Sequence, residues 1–202
     1  MTLTRIGITG GIGSGKSYVA ALVSDLCGMA LYDSDTKARE LMLGDAIIRA
    51  RLTELIGTDA YLPDGSLNRQ CVAEYLFHSA ENAQRINAIV HPAVRCDWLR
   101  FAAEAKVPVI LESAILIEAG LADTVDSVIV VTAPEDLRIR RAMARDGATE
   151  SQIKARMARQ MPQEELITHA DHVIINDGRP LRPQLRQIGV LSLHMHNKQQ
   201  TE

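Results

Sequence analysis

Cysteine is scarce in this chain: Cys27, Cys71 and Cys96 are the only three, an odd number at wide and unpatterned spacing. That pattern fits reduced core thiols better than a disulfide framework or a spaced zinc site, and it favours a reducing compartment. An excess of one charge is lacking too. Twenty-two basic residues stand against 25 acidic ones, a net of −3, so the overall balance offers no surface for a nucleic acid or an anionic membrane. Any phosphate must therefore be held locally. Long apolar runs are missing as well: the longest, residues 107–117, is interrupted by Glu112 and is too short to cross a bilayer. No basic-then-apolar leader opens the sequence, and a cytoplasmic location is the expectation. The chain has no internal repeat, low-complexity segment or flexible linker.

What is present is enough for one α/β core and a small insertion, at 202 residues and 47% hydrophobic content. Residues 6–9 form a β-branched run ending in glycines, after which Val19, Leu22, Val23 and Leu26 recur at helical spacing up to Gly28. A second apolar run, 29–32, leads into Asp33-Ser34-Asp35 and another helical face carrying Ala38, Leu41 and Met42. From 45 to 105 the pattern is helical, broken at 61–65, at Ser79 and at His91-Pro92. Strands are expected again at 107–111, 127–131 and 172–175. Pro134 opens a charged helix closed by Asp146-Gly147, Thr149 with Gln152 is a capping box, and that next helix stops near Pro162. A last helix runs from Pro180 to about Leu191. Five strands separated by helices imply a parallel sheet covered on both faces, with ligands at the carboxyl ends of the strands.

Gly10-Gly11-Ile12-Gly13-Ser14-Gly15-Lys16-Ser17 matches G-x-x-x-x-G-K-[ST] directly after a strand and at the start of a helix. Glycines allow positive φ and a close backbone approach, so the N–H groups of the loop and the helix end can cradle phosphates. Lys16 reaches the β- and γ-phosphates in such loops, and the Ser17 hydroxyl ligates Mg²⁺. The guanine-reading Asn-Lys-x-Asp tetrad is absent, since Asn197-Lys198 runs into Gln-Gln. Asp33 and Asp35 sit where a carboxylate can orient an alcohol and take its proton, or else cap the following helix.

Together, the loop with Thr9 before it, Asp33-x-Asp35, Asn87 through His91-Pro92, Arg145-Asp146-Gly147, Arg156 with Gln160, and Ala170-Asp171 through Asn176 resemble the ordered motifs of the dephospho-CoA kinase family. The resemblance spans roughly residues 5–180. It implies a P-loop three-layer αβα sandwich with a five-stranded parallel sheet, a helical substrate-binding insertion and a helical lid. The implied core is approximately 1–33, 106–137 and 168–202, with the insertion at 34–105 and the lid at 138–167. The implied reaction is transfer of the ATP γ-phosphate, with Mg²⁺, to the ribose 3′-hydroxyl of dephospho-CoA, the last step of coenzyme A biosynthesis.

Carried over by position, the resemblance makes Asp33 the base, with Lys16 and Arg145 beside it as catalytic residues. It places ATP against Gly11, Gly13, Ser14, Gly15, Lys16, Ser17, Tyr18, Arg141, Arg145 and Asn176, with Arg141 and Arg145 as the lid arginines, and metal at Ser17. Asp35, Arg69, His91 and Arg95 are the acceptor candidates, with Arg85 a further phosphate candidate. The alternatives are a solvated helix face for the arginines, which is the reading taken for Arg138 and Arg140, and a helix break for His91-Pro92. Ala114-Ile115-Leu116-Ile117-Glu118 departs from the family's Pro-Leu-Leu-Phe-Glu, and Tyr18 stands where threonine is common. Glu112 either supports the metal through water or simply ends its strand. His194 and His196 are assigned nothing. A shikimate- or nucleoside-monophosphate-type kinase is the rival enzyme, and a nucleotide-dependent regulatory module the rival of another class.

Overall fold

Runs of valine, isoleucine and leucine form five short strands: β1 (Arg5–Thr9), β2 (Ala30–Asp33), β3 (Val109–Glu112), β4 (Ser127–Thr132) and β5 (His172–Ile175). They pair in one parallel sheet in the order β2-β3-β1-β4-β5, so β1 lies at the centre. The computed structural model describes residues 3–187. Of these, 3–33 with 102–187 form one compact unit and 34–101 another.

The first unit is organised by α1 (Lys16–Cys27), which lays Val19, Ala20 and Val23 against Ile6, Ile8, Ile110, Ile129, Val131 and Ile174 of the sheet. Each valine and isoleucine among them contributes about 1.5–3 kcal/mol on full burial, so this cluster anchors the strand ends that carry the polar residues. α1 ends at Gly28, whose φ of 62° makes the left-handed C-cap that lets the chain turn back into β2. Later come α6 (Glu135–Asp146), α7 (Glu150–Met157), α8 (Gln163–Thr168) and α9 (Arg182–Gln187). The capping box of Thr149 and Gln152 forms as expected. The expected stop near Pro162 is followed at once by α8, which Pro162 itself N-caps. The expected continuation of the last helix to Leu191, and His194, His196 and Asn197-Lys198, lie outside the described residues.

The second unit is helical: α2 (Ser34–Gly44), α3 (Ala46–Ile56), α4 (Arg69–His78) and most of α5 (Ala80–Glu104). The expected break at His91-Pro92 does not occur, because α5 runs through Pro92. An interior proline loses one backbone hydrogen bond and crowds the preceding turn. Burial of Ile89, Val90, Val94 and Trp98 on either side of it offsets that cost. Among the described residues, no helix is long and apolar enough to cross a membrane.

Candidate active site

The loop between β1 and α1 takes positive φ at Gly10 (157°), Gly13 (76°) and Gly15 (86°). Gly15 is the N-cap of α1 and supplies no side-chain acceptor, and the first turn carries no acidic residue. The first backbone N–H groups of α1 thus have no side-chain acceptor at the cap, and the positive end of the helix adds to their pull on an anion. Val19 N donates to Gly15 O at 3.0 Å and Ser14 N to Gly11 O at 3.1 Å, which closes the loop onto the helix.

Lys16 and Ser17, the first two residues of α1, meet one carboxylate. Lys16 Nζ lies 3.3 Å from Glu112 Oε1, and Ser17 Oγ donates to the same oxygen at 2.8 Å. Glu112 ends β3 and is only 4% exposed. In the sheet register Glu112 stands between Ile8 of β1 and Asp33 of β2. Two carboxyl residues therefore occupy adjacent strand ends, one of them touching the phosphate-loop lysine. Asp33 is partly buried as the last residue of β2. Asp35 lies inside the first turn of α2, where it complements the positive helix end and does not precede the helix as a cap.

The other side of the loop is held by Asn176, just after β5. Its Nδ2 donates to Ser14 O at 2.9 Å, its N–H donates to Thr132 O at 2.8 Å, and its carbonyl accepts from Arg141 at 2.9 Å. Gly15, Tyr18, Arg141 and Asn176 line one open pocket of about 510 Å³ together with Pro180 and Leu181. Four of the residues expected at a nucleotide are thus gathered there. Arg145 is placed elsewhere. It donates to Asp146 at 2.7 and 3.1 Å, and Arg156 donates to the same carboxylate at 2.5 Å. These two guanidinium groups hold the Asp146 carboxyl well below the usual carboxylate range.

Arg138 is not on a solvated face: it is 8% exposed and donates to Ile12 O at 3.0 Å and to Gln163 at 3.1 Å. Gln160 accepts from Ile12 N at 2.8 Å, so both polar groups of one loop residue are gripped by the α6–α8 segment. The signal in the sequence is that Arg138 precedes the buried Ala142 by one helical turn. Arg140 is exposed, as expected, and pairs with Asp136 one helical turn away. Arg138→Ala is expected to lower stability by about 1.5–3 kcal/mol, the worth of hydrogen bonds made by a charged group. Arg140→Ala should stay within about 1 kcal/mol of the parent, as exposed pairs do, and urea denaturation separates the two.

Within the helical unit, Arg69 begins α4 and is exposed, and Arg85 is exposed and paired with Glu81. His91 and Arg95 lie one turn apart on α5 and are partly buried; burial pushes the His91 imidazole below its ordinary pKa. Among the described residues, no group of three or more His, Cys, Asp or Glu side chains could hold a metal.

A parallel sheet in this order, with a glycine loop opening α1 and a lysine at its mouth, is the fold and phosphate site of the P-loop class. A model of the family described as dephospho-CoA kinase matches residues 4–181. A dephospho-CoA kinase of Bacteroides fragilis is 42% identical over 187 residues, covering 91% of this chain and 90% of that protein. A crystal structure from Thermus thermophilus aligns with a TM-score of 0.77 at 31% identity, covering 100% of this chain and 98% of that one. Dephospho-CoA kinase from Campylobacter jejuni shares the fold at a TM-score of 0.67 and 20% identity, over 96% of this chain and 98% of that one. The chain belongs to the dephospho-CoA kinase family, the family its ordered motifs resemble.

Proposed function

We propose that this kinase transfers the γ-phosphate of ATP to the ribose 3′-hydroxyl of dephospho-CoA, with Asp33 as the residue that orients the hydroxyl and accepts its proton. The observation that carries this reading is the register of Asp33 beside Glu112, whose carboxylate touches Lys16 and Ser17. An alcohol held by Asp33 then stands at the strand ends where the phosphate loop opens. Its oxygen bonds to the γ-phosphorus, the bond from that phosphorus to the bridging oxygen breaks, and ADP leaves while the proton passes to Asp33.

Backbone N–H groups of Gly11, Gly13, Ser14, Gly15, Lys16 and Ser17 hold the phosphates in this reading, and Lys16 neutralises charge on the β- and γ-oxygens. Tyr18, Arg141 and Asn176 take the base side. Residues 138–167 act as the lid, which brings Arg145 to the transferring group when it leaves Asp146. Residues 34–105 receive the acceptor, through Asp35, Arg69, His91 and Arg95. Mg²⁺ fits the oxygen-only donor set of Ser17 and Glu112, because it is bound by one or two protein oxygens plus phosphate and water. When bound it offsets charge on the phosphates. Cys27, Cys71 and Cys96 carry reduced thiols, which accords with a cytoplasmic enzyme, although only Cys27 is buried in the core as expected and Cys96 is exposed.

Incubation with ATP and Mg²⁺ against a panel of dephospho-CoA, shikimate and nucleoside monophosphates tests the acceptor. Coenzyme A formation is the expected result. Turnover of shikimate or a nucleoside monophosphate in its place would remove the assignment.

A further inference from the structure

We propose that Gln160 and Arg138 are positioning residues that hold the phosphate loop in its phosphate-binding form through a single residue, Ile12. The inference rests on the nucleotide half of the proposed function and is independent of which alcohol is phosphorylated.

Residues 10–15 include four glycines, and Gly10, Gly13 and Gly15 among them stand at positive φ. Glycine loses more backbone freedom on ordering than any other residue, so a segment of this composition does not keep one shape by itself. Ile12 is the one residue of the loop whose side chain is large enough to serve as an anchor.

Every part of Ile12 is gripped. Gln160 Oε1 accepts from its N–H at 2.8 Å, and Arg138 Nε donates to its carbonyl at 3.0 Å. Its side chain packs against the cluster of Ile139, Ala142 and Ile153. Gln163 accepts from Arg138 at 3.1 Å and fixes the guanidinium in turn. The guanidinium also lies flush against the preceding peptide, since a Cβ on Gly11 would run into Arg138 Nη2. The N–H of Ile12 is therefore taken, whereas those of Gly13 and Gly15 donate to no described residue. The clamp holds one peptide and leaves its neighbours free for an anion.

The consequence for binding follows from populations. A ligand that needs one form of a flexible loop binds more weakly in proportion as that form is depopulated. Removing the acceptor for Ile12 N–H leaves that group unsatisfied in the clamped form alone, because other loop conformers expose it to water. The loss should fall on the phosphates and spare the base.

Gln160→Met removes the acceptor at similar volume, and Gln160→Glu keeps an oxygen at the same reach. Titration calorimetry with Mg²⁺, once with ATP and once with inorganic tripolyphosphate, is run well below the unfolding temperature of each variant, so that reduced stability alone leaves the affinities unmoved. We expect Gln160→Met to weaken both ligands by about tenfold, the scale of one unsatisfied hydrogen-bonding group, and Gln160→Glu to restore most of that affinity. Unchanged affinities in Gln160→Met, a loss for ATP that tripolyphosphate does not share, or equal losses in the two variants would overturn the proposal. If Gln160→Met fails to fold, Ile12→Ala provides the test: it removes the apolar anchor, and it should weaken both ligands alike. Unchanged affinities there would overturn the proposal as well. A parent protein that binds neither ligand would instead refute the nucleotide reading on which this inference rests.

Discussion

Asp33→Asn is expected to lower phosphoryl transfer by about 10²–10⁴-fold, the range a positioned general base contributes, and to leave ATP affinity nearly intact. Asparagine keeps the shape of the side chain and can still hold a hydroxyl, but it cannot take the proton. The phosphate loop gains nothing and loses little by the change, since Lys16 and Ser17 are engaged by Glu112. Steady-state rates with dephospho-CoA, set beside the dissociation constant for ATP, read the two effects separately. If the variant transferred phosphate at the parent rate, Asp33 would be no more than the residue that ends β2 ahead of α2.

Gly13→Ala is expected to remove nucleotide binding by a different route. Gly13 has φ +76°, and a Cβ there would lie 2.7 Å from the carbonyl carbon of Arg138 and 2.8 Å from its Cα. Those atoms belong to the first turns of α6 and cannot swing aside as a side-chain tip can. The left-handed backbone costs about 1–2 kcal/mol for alanine, and overpacking commonly adds about 1–3 kcal/mol. Holding the loop in its present form thus costs about 2–5 kcal/mol, or roughly 30-fold or more in ATP affinity. Gly120→Ala is the control: φ there is +65°, but a Cβ meets nothing within 4 Å. It should carry only the conformational cost and leave ATP binding unchanged, which fluorescence titration of both variants checks.

The sheet was largely legible because its strands are short apolar runs, and every one falls within two residues of its expected bounds. The loop was legible because its spacing and its strand-to-helix setting coincide. Pro92 misled because proline usually ends a helix, whereas here buried side chains on both sides of it hold α5 together. α8 was missed because it has six residues, too few for a periodic pattern to emerge. Arg138 was misread for another reason: its partner Ile12 lies 126 positions away, and no local pattern encodes that contact. The same holds for Gln160, 148 positions from the N–H it accepts. Glu112 stood out as a charge in an apolar run, which showed that it was unusual and left its role open. Its 95-residue separation from Ser17 explains why its contact with the phosphate loop was not legible in the sequence.

The most direct test is a crystal structure of this kinase with ADP and dephospho-CoA bound together. The account predicts a carboxylate oxygen of Asp33 at about 2.6–3.2 Å from the ribose 3′-oxygen, with that oxygen facing the terminal phosphate position beside Lys16. A 3′-oxygen held by other groups, with Asp33 turned away from the Lys16 pocket, would contradict it.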